Sequence, residues 1–138
     1  MSKIKAEETI KNHLELKKFF KNILKPDRTP VSKYEILMVL NNEEGIRIGD
    51  LSKKVDITRP NLTPLINALE KDGDVERIKD EKDNRASIVK ITKKGKQTYQ
   101  KSLELIEERL KEINNSFNDE ELNLINKSFD SIIKTIEK

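Results

Sequence analysis

The sequence predicts a mainly α-helical fold with one small β-hairpin wing: a winged helix-turn-helix held between N- and C-terminal dimerisation helices. Three observations predict it. Leu62, Leu65, Ile66 and Leu69 recur at the spacing that buries one face of a helix over residues 58–72. Two short alternating runs follow, residues 75–78 and 86–91, joined by a charged loop over residues 79–84, which reads as a hairpin. Helices on both sides repeat apolar residues every three or four positions, leaving stripes that need partners.

At 138 residues the chain reads as one continuous domain, divided into an N-terminal dimerisation helix (1–30), a winged helix-turn-helix (31–92) and C-terminal dimerisation helices (93–138). Its core is lean. Hydrophobic residues are 34% and charged residues 38%, a balance close to disorder were the apolar positions not so regular. The net charge of +3 matters less than its distribution. Residues 47–96 carry 13 basic and 9 acidic side chains, whereas residues 97–138 carry 6 and 9, so the positive charge sits with the predicted reader. Cysteine is absent, which excludes disulfides, thiol redox sensing, Cys-ligated zinc and a Cys nucleophile. The longest apolar run, residues 36–40, is far too short to span a bilayer, and a cytoplasmic location is expected.

Taken in order, residues 4–24 form a helix whose apolar positions, among them Ile10, Leu14, Phe19, Phe20 and Leu24, cover over half the circumference. The prolines of residues 25–30 stop it. Ser32 and Glu35 have capping-box spacing, with Val31 and Ile36 as a hydrophobic staple, and start a helix to about residue 42. Residues 46–48 alternate like a short strand, residues 49–55 form a compact helix with Leu51 and Val55 inward, and a tight turn at Asp56 and Ile57 leads to the helix over 58–72. There Thr58 is the N-cap and Gly73 the C′ residue. Thr92 caps a long fifth helix, in which Tyr99, Leu103, Ile106, Leu110, Ile113 and Phe117 step 4, 3, 4, 3, 4. A second capping box, Asn118 with Glu121 and flanked by Phe117 and Leu122, opens a last helix with Leu122, Ile125, Phe129, Ile132 and Ile136 on one face. The two seams could close on each other as a hairpin. The broad stripe of the first helix would then remain bare, which favours a homodimer through Ile10, Leu14, Leu103, Ile106, Leu110, Ile113, Phe117, Ile125, Phe129, Ile132 and Ile136.

Residues 31–95 resemble the MarR family of transcriptional regulators. The carriers are Leu51-Ser52, the run Leu69-Glu70-Lys71-Asp72-Gly73-Asp74-Val75-Glu76-Arg77, and Asp83-Asn84-Arg85 followed by Val89-Lys90-Ile91-Thr92-Lys93-Lys94-Gly95. The last string is similar to the family's wing signature, Asp-x-Arg and then Leu-Thr-x-x-Gly, with Ile91 in place of Leu. Ser52 where Ala is commoner and Asp74 where an apolar residue is commoner are departures. The resemblance implies a winged-helix homodimer on double-stranded DNA, a repressor at a pseudo-palindromic operator, and release by a small-molecule effector bound between the dimer helices and the reader.

On the reading helix, Pro60, Pro64, Asn67 and Lys71 point away from the buried face, flanked by Asn61 and Thr63, and Arg59 is a candidate phosphate contact. Asn67 can meet adenine through its amide; Asn61 could do so or simply bond back to the cap. Pro64 inside a helix forfeits a backbone bond at about 3 kcal/mol if unrelieved, through either a kink or contact with thymine methyls. On the wing, Arg85 can enter a minor groove or pair with Asp83, and Lys79 and Lys82 can reach phosphate. Arg47, Lys53 and Lys54, like Arg59, are phosphate contacts at best, against the plainer reading that each is merely exposed. His13, Phe20, Tyr34 and Met38 line an effector pocket if one exists, against the plainer reading that each is core. No glycine-rich phosphate loop or ligand-spaced cluster is present, so no cofactor, metal or catalysis is expected. The alternative is a winged-helix protein-interaction module, which should offer aliphatic or aromatic anchors where this helix offers Asn, Thr, Pro and Lys.

Overall fold

The computed structural model describes residues 3–23 and 31–137. The predicted stop over residues 25–30 and Leu24 lie outside the described residues, as does the Val31 side chain invoked in the staple. The elements run α1 (Ala6–Ile23), α2 (Val31–Asn41), β1 (Ile46–Arg47), α3 (Ile48–Val55), α4 (Arg59–Lys71), β2 (Val75–Lys79), β3 (Ser87–Ile91), α5 (Lys93–Arg109), α6 (Lys111–Ser116) and α7 (Asp119–Ile136). Because α2 starts at Val31, Ser32 lies inside its first turn and not at its cap.

The sheet is antiparallel in the order β1-β3-β2, with Ile46 opposite Val89 and Val75 opposite Ile91. Alternation along β3 drives Val89 and Ile91 inward, onto Ile36, Leu37 and Leu40 of α2, Leu51 of α3, and Leu62, Ile66 and Leu69 of α4. One face of each helix therefore closes one core. This leaves the opposite face of α4 in solvent.

The end of α4 is fixed by backbone chemistry. Gly73, at φ +83°, donates to the Glu70 carbonyl, and Asp74 N–H reaches back to Leu69 O at 2.9 Å, a complete Schellman turn. The start of α5 lands on this turn. Thr92 Oγ1 donates to Gly73 O at 2.6 Å and accepts from Gly95 N–H at 3.0 Å, while Thr92 N–H donates to Asp74 O. Any Cβ on Gly95 would sit 2.0 Å from that same Asp74 oxygen.

The long fifth helix predicted from the heptad seam is two helices. At Leu110 the backbone turns to φ −83°, ψ −3°, its N–H shared between the Ile106 and Glu107 carbonyls, and α6 starts afresh. The seam divides there as well. Tyr99 packs on the core and Ile106 is buried within its own chain, so the upper seam is already occupied. The second capping box is present as read: Asn118 Oδ1 accepts from Glu121 N–H at 2.8 Å and Glu121 Oε1 accepts from Asn118 N–H at 3.0 Å. No described side chain of α1 or α7 is buried.

Gly95→Ala should destabilise the protein by more than about 3 kcal/mol, because the clash is with backbone that cannot retreat. Gly49→Ala should be neutral or stabilising by up to about 1 kcal/mol, since its Cβ would meet only the Arg59 guanidinium, 3.9 Å away. Urea denaturation of the two variants checks the pair; equal losses would show that the α4–α5 contact is not tight.

Candidate nucleic-acid interface

The turn between α3 and α4 is set by Asp56, which ends α3 in the left-handed region at φ 53°. Ile57 N–H donates to Ser52 O, and the Ser52 hydroxyl donates to Ile57 O. Thr58 has N-cap geometry, but its side chain caps no backbone N–H; it accepts from the Asn61 amide at 3.1 Å. Asn61 is thus engaged locally, the plainer of its two readings. The exposed Thr63 donates its hydroxyl hydrogen back to Arg59 O at 2.9 Å.

The helix runs through Pro64 without a break. Pro60, whose carbonyl loses its N–H partner, and Pro64 are both exposed, so water can solvate that oxygen and the full penalty is avoided. Asn61, Thr63, Asn67 and Lys71 share the exposed side. Asn67 is not free, however. Its Oδ1 accepts from Arg77 of β2, whose Nε lies 3.7 Å from Glu70 Oε1 without a hydrogen bond of its own. Arg77 was not singled out from sequence, although the run through Glu76-Arg77 contained it. It pins the wing's first strand to the reading helix.

The wing loop is built by two aspartates. Asp80, almost fully buried, accepts from Lys82 N–H at 3.0 Å and from the Arg47 guanidinium; Asp83 accepts from Arg85 N–H at 3.0 Å. Asp83 thus holds the backbone of Arg85, and among the described residues no ion pair joins the two side chains. Arg47 is the partner of Asp80, and Lys54 pairs with Glu43 at 2.5 Å, so neither is merely an exposed cation. Lys53, Lys79 and Lys82 are exposed. Arg85 and Arg59 converge on a cleft of about 290 Å³ between the wing and the start of α3, with Arg47, Gly49 and Asp50 also on its walls. Two of its three guanidinium groups have no acidic partner among the described ion pairs.

A sequence model of the MarR family matches residues 30–87. The HTH-type transcriptional regulator SarZ of Staphylococcus haemolyticus (strain JCSC1435) is 32% identical over 111 residues, 80% of this chain and 74% of SarZ. The chain belongs to the MarR family. The homoprotocatechuate degradative operon repressor of Escherichia coli is 29% identical over 104 residues, 75% of this chain and 70% of the repressor. Among solved structures, a MarR transcriptional regulator from Methanosarcina mazei Go1 superimposes with a TM-score of 0.81 at 26% identity, covering 94% of this chain and 96% of that one.

Within this MarR-family fold the pocket residues read from sequence separate. Tyr34 and Met38 line a cavity of about 220 Å³ between α2 and α5, together with Tyr99 and Ile106. His13 and Phe20 are not on its walls; both are exposed on α1, where Phe20 stacks edge-to-face on Phe19 at 5.4 Å. Among the described residues no three acidic or histidine side chains are grouped to hold a metal, and no helix is long and apolar enough to cross a membrane.

The Lys82 N–H, and after it the Arg47 guanidinium, hold the Asp80 carboxyl below the usual carboxylate range against the opposing effect of burial. Stability from a depressed carboxyl is present above its unfolded value, about pH 4, and is lost as pH falls through the folded value. Asp80→Asn should therefore melt lower than the parent at pH 7, with the gap closing as pH falls below about 4. Thermal melts of both proteins across that range decide this. A gap that stayed constant would mean the Asp80 charge is not what holds the wing.

Proposed function

We propose that the chain is a sequence-specific DNA-binding repressor, acting as a homodimer at a pseudo-palindromic operator and released by a small ligand. The observation that carries this is the meeting of Arg59 and Arg85 in one basic cleft beside a reading helix whose outward face is polar. An exposed helix with Asn, Thr and Lys suits base edges in a major groove, and a hairpin tip with an unpaired arginine suits phosphate or a narrow minor groove. The same face offers no aliphatic or aromatic anchor, which weighs against a protein-interaction module. Repression is supported by the likeness to the homoprotocatechuate degradative operon repressor.

Dimerisation is supported by the bare arms. Ile10 and Leu14 on α1 are 61% and 52% exposed, and Phe129 and Ile132 on α7 are 51% and 50% exposed. Apolar rows of this length on a soluble chain mark an interface. Since Ile132 lies outside the core, Ile132→Lys should leave the fold intact, yield monomer and abolish specific DNA binding. Sedimentation beside an electrophoretic shift reads both; a monomer that still bound one specific site would remove the two-fold reading.

Selection of bound fragments from random DNA tests the function itself, with inverted repeats about 34 Å apart expected. On the selected site, Arg85→Ala should weaken many sequences evenly and lower the slope of log affinity against log salt by about one unit. Asn67→Ala should keep the slope and lose about 1 to 3 kcal/mol of discrimination at particular bases. If Arg85→Ala bound as the parent does, with the same slope, Arg85 would have no contact with DNA.

A further inference from the structure

We infer that the cavity between α2 and α5 takes an uncharged hydrophobic molecule the size of a substituted benzene and rejects carboxylates. This rests on the proposed reading that a small ligand releases the protein from DNA. The walls are Tyr34 and Met38 from α2 and Tyr99, Leu103 and Ile106 from α5, and what they expose to the cavity is almost wholly carbon. Ser102 forms part of the lining, but its hydroxyl hydrogen is already donated to Thr98 O at 2.9 Å. The one charged residue on the wall is acidic, Glu35, exposed at the rim with half-exposed Met38.

Among the described residues no lysine, arginine or histidine lines this space. The smaller cavity beside it, about 140 Å³, shares Tyr34 and Ser102 and contains one cation, Lys33. That lysine is 4.0 Å from Asp72, and Asp74 also lines the chamber, so it is outnumbered by carboxylates. An organic anion entering the larger space would surrender hydration with no described cation on the wall to replace it, and in the smaller one the only described cation is already met by carboxylates. A neutral ligand surrenders nothing comparable and gains the contact of two aromatic rings and a methionine. The volume sets the size: an apolar cavity of about 150 Å³ accepts benzene, and about 220 Å³ leaves room for a branched alkyl substituent.

The decisive comparison uses two molecules of one shape, tert-butylbenzene and 4-tert-butylbenzoate, titrated at pH 7 into the full chain by calorimetry and by shift in melting temperature. The neutral compound should bind, and the benzoate about 100-fold or more weaker. Glu35→Lys, an exposed substitution that keeps the fold, should let a flexible ammonium reach the rim and raise benzoate affinity by about 10-fold or more, leaving tert-butylbenzene unaffected. Equal affinity of the parent for both compounds overturns the inference, as does binding of neither. Operator affinity is measured separately on the liganded protein. A neutral ligand that binds without weakening DNA binding overturns the effector reading and leaves the ligand class standing.

Discussion

The structure depends on the place where the first turn of α5 rests on the end of α4. Asp74 O accepts the Thr92 N–H and lies against Gly95, while Thr92 Oγ1 reaches both Gly73 O and Gly95 N–H. The Lys94 ammonium adds a bond to Asp72 O, at the negative end of α4. Four elements begin or end here: α4, β2, β3 and α5. The angle of the reading helix to the arm is therefore set by backbone contacts too close to flex. Since α5 is also a wall of the cavity, the cavity and the reading helix share this joint.

The body of the fold was legible in the sequence because its elements are local and periodic. Leu62, Ile66 and Leu69 announce α4, and the alternation of Val89 and Ile91 announces β3, through spacing alone. Caps were legible where the partner is three residues away, as with Thr92 and Asn118, and misplaced at Ser32, which already lies within α2. Contacts across the fold left no such trace. Arg47 meets Asp80 over 33 positions and Arg77 meets Asn67 across the strand and helix, and neither pair has a spacing that a single sequence could reveal. For the same reason Arg47 reads as an exposed cation and Asn67 as a free amide until the tertiary structure gives each a partner. The break at Leu110 was invisible because a heptad count continues through it unchanged.

Two departures from the family pattern come with their own compensation. Ser52 replaces a small apolar residue and directs its hydroxyl to Ile57 O, closing the turn that aims α4. Asp74 brings a carboxylate into a nearly closed position, and Thr98 Oγ1 donates to it at 2.8 Å. A buried polar atom without such a partner costs about 1 to 3 kcal/mol. Both substitutions thus add a bond at a junction, one on each side of the reading helix.

The break at Leu110 separates what the protein reads from how far apart it reads. The described residues of the α4–α5 joint lie before it, while α7, with its bare apolar row, lies after it. In the dimer we propose, the distance between two reading helices is then a property of the arms, a ruler that carries no information about bases. Grafting α1 together with the segment beyond residue 110 from a relative with a different arm geometry would change the spacing of half-sites and leave their letters alone. Operator length and operator sequence can accordingly drift independently in such a chain.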